Sequence, residues 1–175
     1  MKRSIIFINV LFILSTISVF AQLEPPQRTD ELEKLNVFVG TWTSEGKIYP
    51  DEETPAIETK GESTFEWVMD RTWLLFKSGG GRLQGHGYIT WDKELGKYAF
   101  FWFDNLITKP TSYHGNWLDS QTFALNGKLE FRGKIIYTKI DWQFLNENEI
   151  RVVRKVSTDG RKFRISAELS YIRVH

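Results

Sequence analysis

The sequence predicts an all-β protein, an antiparallel up-and-down barrel of about ten strands with a short N-terminal helix. Three observations predict it. After Gly40, apolar residues recur with a period of two. Turn-forming residues interrupt these runs at short intervals. Aromatic residues make up 15% of the chain, which supports a packed core and excludes a disordered one. Closure into a barrel is expected because so many strands would otherwise leave unpaired edges; a sandwich is the alternative.

The N-terminus precedes the fold. Met1-Lys2-Arg3 is basic, Ile5 to Phe20 is mostly apolar, and Val19-Phe20-Ala21 presents small residues at a cleavage site. That order reads as a secretory signal peptide over 1–21, cut after Ala21. The apolar run is short for a membrane anchor and has no basic stop-transfer flank. The expected product is a single domain over 22–175, periplasmic or secreted, without stable membrane insertion. The chain has no cysteine, so disulfides, thiolate metal sites, a cysteine nucleophile and a lipid-modified N-terminal cysteine are all excluded.

Leu23 to Arg28 contains Pro25-Pro26 and reads as an extended lead-in. Thr29 or Asp30 then caps a helix over about 30–37, with Glu33 at capping-box spacing from Asp30. Leu32 and Leu35 share a face, and Gly40 ends the segment. Strands follow around Phe65-Trp67, Trp73-Leu75, Tyr98-Trp102, Ile140-Phe144, Ile150-Val152 and Ile165-Tyr171. Turns are expected at Asp51 to Pro55, Met69-Asp70, Gly79 to Gly81, Asp92 to Gly96, Leu118-Asp119, Asn126-Gly127, Asn146 to Asn148 and Asp159-Gly160. Asn126-Gly127 is the strongest tight-hairpin signal among them.

The charge balance narrows the function classes. Twenty-three basic and 22 acidic residues give a net charge of +1, which argues against nucleic acid as a partner. No Gly-x-Ser-x-Gly elbow is present. Ser78-Gly79-Gly80-Gly81-Arg82 lacks the Gly-Lys-Ser/Thr ending of a phosphate loop and reads as a hairpin turn. His86 and His114 form no metal-binding motif.

Gly40-Thr41-Trp42 directly after the helix, with Arg173 near the C-terminus, resembles the opening and close of lipocalin and calycin barrels. The resemblance implies that Trp42 packs across the barrel floor against Arg173 and that Gly40 lets the chain bend into the barrel. A wider set runs in order along the chain: Gly40-Thr41-Trp42-Thr43, Gly46, Gly85-His86-Gly87-Tyr88, Asp92, Lys97-Tyr98, Trp102-Phe103-Asp104, Gly115 and Glu168-Leu169-x-Tyr171-x-Arg173. It resembles a bacterial secreted group, domain-of-unknown-function family 1579, which implies a lipocalin-like fold and no particular activity. Haem-binding nitrobindin-type barrels also open on Gly-Thr-Trp and ligate iron through a histidine in a His-x-x-Ala-x-Leu context. Arg164 stands at that position here, so no proximal ligand and no cofactor is expected.

Trp67, Trp73, Trp91, Trp102, Trp117 and Trp142 come from different strands and suit an aromatic-walled cavity as well as a filled core. The leading expectation is a non-catalytic barrel that binds a small hydrophobic or amphipathic molecule. Tyr88, Tyr98, Trp102, Asp104 and His114 are the candidate binding residues. Asp104, followed by Asn105 at the start of the loop toward Pro110, reads more readily as the cap of its own turn. Two alternatives remain: an enzyme with Asp104 or His114 as acid/base in the barrel mouth, and a structural or interaction barrel with a filled interior.

Overall fold

A computed structural model describes residues 28–80 and 83–175; the segment 1–21 expected to be a signal peptide, most of the lead-in and residues 81 and 82 lie outside them. Helix α1 (Asp30–Lys34) continues as a 3-10 turn over Leu35–Phe38. Ten strands follow: β1 (Gly40–Ile48), β2 (Ile57–Val68), β3 (Trp73–Gly80), β4 (Leu83–Asp92), β5 (Lys97–Asp104), β6 (Thr111–Trp117), β7 (Thr122–Phe131), β8 (Lys134–Asn146), β9 (Glu149–Ser157) and β10 (Arg164–Val174). Each pairs antiparallel with the next, and β1 pairs with β10, so the sheet closes into an up-and-down barrel. No helix among the described residues is long and apolar enough to cross a membrane.

The helix begins at Thr29, whose hydroxyl accepts from the Leu32 N–H. Glu33 therefore does not close a capping box; its carboxylate pairs with Arg28 at 2.6 Å and accepts from Asn36. The helix tightens into the 3-10 turn after Lys34, which swings Phe38 up into the barrel. Phe38 is fully buried and its ring meets those of Phe65, Phe123, Trp142 and Phe144.

Asn126-Gly127 is not a hairpin turn. It lies within β7, where Asn126 faces Lys139 and Gly127 faces Thr138 on β8. The turn falls at Arg132 and Gly133, both at positive φ, the geometry of a type I′ hairpin. Gly127 serves a packing need instead: a Cβ there would stand 2.5 Å from the Tyr113 ring. The other expected turns lie between strands. Asp51, Asp92, Asp119 and Asp159 each accept from backbone N–H groups two and three residues on. Gly79 and Gly80 end β3 itself.

Trp42 and Arg173 face each other across β1 and β10, with the guanidinium 4.1 Å above the indole. Arg173 also donates to the carbonyls of Val37, Val39 and Glu147. A Cβ on Gly40 would stand 2.7 Å from this guanidinium, and φ there is +135°, so glycine is required twice over. Trp42 in turn donates from Nε1 to the Phe38 carbonyl at 2.8 Å. Arg173→Met is expected to lower the unfolding free energy by at least about 2 kcal/mol, through lost charge-assisted hydrogen bonds and cation–π contact. Arg173→Lys is expected to restore less than half of that, because an ammonium lacks the planar fork. Urea denaturation measures both.

Candidate functional site

The two halves of the lumen are built differently. In the half that receives Phe38, inward positions carry Phe65, Leu74, Tyr98, Phe123, Trp142 and Phe144, all buried. In the other half they carry small residues: Ser44 and Gly46 on β1, Gly61 and Ser63 on β2, Ser78 and Gly80 on β3, Gly85 on β4, Thr111 on β6, Gly127 on β7 and Ala167 on β10. Among the larger inward residues of this half, Trp102, Leu129, Ile136, Val156 and Leu169 stay partly exposed, whereas Tyr113 and Tyr171 are buried. One end of the barrel is sealed and the other admits solvent.

Glycines widen the open half. A Cβ on Gly85 would meet the Trp102 ring at 2.3 Å, and one on Gly87 would meet the Phe100 ring at 2.2 Å. Gly127 stands in the same relation to Tyr113. Each ring lies over a glycine of the neighbouring strand.

The predicted site residues divide between the two faces. Tyr98, Trp102 and Asp104 share the inward face of β5. Tyr98 belongs to the sealed floor, where its hydroxyl donates to the Glu31 carbonyl at 2.7 Å. Trp102 lines the open half and donates from Nε1 to Asp104 Oδ2 at 2.8 Å. Asp104 Oδ1 accepts from the Leu106 and Ile107 N–H groups, so both carboxylate oxygens are engaged in the turn and in Trp102. Tyr88 points outward, against Trp73, His86 and Phe103. It borders a groove of about 760 Å³ along β2 to β5 that is lined mostly by outward residues and also reaches Ser63, Ser78, Gly85 and Asp104. His114 also points outward, opposite Ala99 and Asn126.

Asp104 and His114 therefore do not meet. They lie on opposite faces, and the register sets His114 beside Ala99, five residues along β5 from Asp104. His86 stacks on Phe103 outside the barrel, two strands from His114. No group of three or more histidine, aspartate or glutamate residues among the described residues could hold a metal ion. Arg164, at the position where nitrobindin-type barrels place a histidine, donates to the carbonyls of Tyr49 and Pro50.

Polar residues that the strand pattern did not single out line the interior. Ser63 donates to Ser78 at 2.9 Å, and the Tyr171 hydroxyl stands beside both. Burial pushes Tyr171 up to about 12, and the two serines offset part of the rise. Arg154 continues the inward series Ile150, Val152 on β9. A longer reading of that alternation finds it, because an arginine stands where the pattern demands an apolar residue.

The sequence profile of the family described as Protein of unknown function (DUF1579) matches residues 27–173. The chain belongs to the DUF1579 family. No curated protein matches this DUF1579 chain. Among solved structures it is similar to the S-type phycobiliprotein lyase CPES from Guillardia theta, with a TM-score of 0.54 and 14% identity. The match covers 86% of this chain and 99% of the lyase. At that identity the likeness establishes the lipocalin-like barrel and nothing about ligand or activity.

Two outcomes test this DUF1579 site. Asp104→Ala is expected to cost about 1–2 kcal/mol by freeing the Trp102 N–H and the turn, whereas His114→Ala changes stability by less than about 0.5 kcal/mol. Thermal denaturation compares them. Burial also pushes Tyr98 up to about 12, with Glu31 adding to the rise and Trp117 opposing it. Unfolded phenols ionise near the ordinary tyrosine value of 10.0, and folded Tyr98 and Tyr171 hold their protons to about 12. Their contribution is thus complete below pH 10 and lost as pH rises from 10 to 12. Phenolate absorbance and circular dichroism, followed together, should show two late-titrating tyrosines that ionise as the fold melts.

Proposed function

We propose that this protein is an exported, non-catalytic barrel that takes a small hydrophobic or amphipathic molecule into its open half. One observation carries the reading: Trp102, Leu129, Ile136, Val156 and Leu169 point inward yet keep partial solvent access, above a floor closed by Phe38. An apolar molecule in that space removes their surface from water, and burial of apolar area is the main source of affinity in such pockets. The basic and apolar N-terminal segment supports export. The separation of Asp104 from His114 favours binding over acid–base chemistry.

A second reading, an interaction barrel, draws on the outer aromatic group of Trp73, Tyr88, Phe101 and Phe103. It predicts concentration-dependent self-association, or a bound protein, with an empty lumen.

Native mass spectrometry of the protein from its own host tests both halves of the proposal. The expected result is a chain that starts at Gln22 and carries a co-purifying small molecule. Val156→Trp, which fills the open half, is expected to weaken binding of that molecule by at least about tenfold, with unchanged circular dichroism. Unaltered affinity in this variant would move the binding site out of the lumen.

A further inference from the structure

The inward face of β9 carries a cation that has no side-chain partner among the described residues. Arg154 lies opposite Ile140 on β8 and Ala167 on β10, two residues that face the lumen. Three other charged residues at the barrel's inner face or ends, Asp104, Arg164 and Arg173, are engaged. Asp104 holds Trp102 and its turn, Arg164 holds the Tyr49 and Pro50 carbonyls, and Arg173 holds the floor. The Arg154 side chain makes no hydrogen bond or ion pair among the described residues, and its Nε is buried without a partner.

Two neighbours share this condition. Thr138 and Trp142 flank Ile140 on β8, on the same inward face, and each is at least nine-tenths buried. Thr138 Oγ1 and Trp142 Nε1 also have no hydrogen-bond partner. Folded proteins pair almost all such groups, because a polar atom taken from water without a partner is destabilising. Three of them lie on adjacent strands, Thr138 and Trp142 two residues to either side of Ile140 and Arg154 opposite it. All three can donate, and one carries a full positive charge. Such a set is complementary to a planar anion with two acceptor oxygens.

We propose that Arg154, supported by Thr138 and Trp142, is the head-group subsite of the lumen, and that its ligand is a carboxylic acid with an apolar body. The inference rests on the lumen reading above and adds the chemical class. The guanidinium receives the carboxylate, Thr138 and the Trp142 N–H donate to its oxygens, and the apolar body lies against Trp102 and Leu169. Desolvation inside the barrel strengthens the charge-assisted bonds.

The test uses ligand pairs matched in body and different in head: dodecanoate with dodecanol, and pyrenebutyrate with pyrenebutanol. Each is titrated into the purified protein at neutral pH and followed by tryptophan quenching. The wild type is expected to bind the acid at least about tenfold more tightly than the alcohol. Arg154→Gln should erase that preference while keeping the alcohol affinity. Arg154→Lys should retain part of it, and Thr138→Val should reduce acid binding severalfold. Equal binding of acid and alcohol by the wild type, or a preference that survives Arg154→Gln, overturns the subsite and leaves the lumen reading standing. Failure of all four probes to bind overturns the lumen reading and the subsite with it. Should Arg154→Gln not fold, the Arg154→Lys and Thr138→Val comparisons carry the same decision.

Discussion

Arg173 holds the closed end of this barrel together. Its guanidinium stacks on Trp42 and donates to the carbonyls of Val37, Val39 and Glu147. The end of a short helix leaves carbonyls without intrahelical partners, and a cation is the strongest donor that can meet them. With those carbonyls fixed, Phe38 is fixed, and with Phe38 the aromatic floor of Phe65, Phe123, Trp142 and Phe144. Tyr98 and Trp67 add hydrogen bonds from the wall to the same segment, at Glu31 and Asn36. A five-residue helix has no stability of its own. It persists because four wall residues donate to it and its apolar side fills the barrel.

The sealed floor makes the asymmetry of the lumen possible. Ten strands enclose more space than small barrels fill with side chains. Here one half is filled by aromatics and the other is kept wide by inward glycine, serine and alanine. The glycines at 85, 87 and 127 act in a specific way. Each accepts a ring from the neighbouring strand against its bare backbone, so the ring becomes wall. The open half is thereby lined with aromatic rings packed over these glycines.

The residues that looked chemically active in the linear chain separate by strand parity. Tyr88 and His114 went to the outer face, and Asp104 closes its own turn. Tyr98 is part of the floor. The outward aromatics on β3 to β5 explain why parity was hard to read there. Tyr98 to Phe103 is apolar on both faces because one side fills the lumen and the other forms the groove around His86, Tyr88 and Phe103. Asn126-Gly127 misled for a related reason. The dipeptide that favours a tight turn is equally suited to a strand that must admit the Tyr113 ring at the glycine.

The sequence by itself determined the barrel class, the short helix before Gly40 and most of the turns, and the Trp42–Arg173 pair came from the resemblance to lipocalin and calycin barrels. The first three rest on local chemistry: side-chain period, and aspartate and glycine in turns. Only the tertiary structure decided which face each strand turns inward, where the lumen is filled, and which polar groups meet. Parity over ten closed strands is set by registers across neighbours far apart in sequence, and a shift of one residue reverses it. Arg154, Thr138 and Trp142 are separated by chain but adjacent in the sheet, so their common lack of partners exists only once β8 and β9 are paired and the barrel has closed around them.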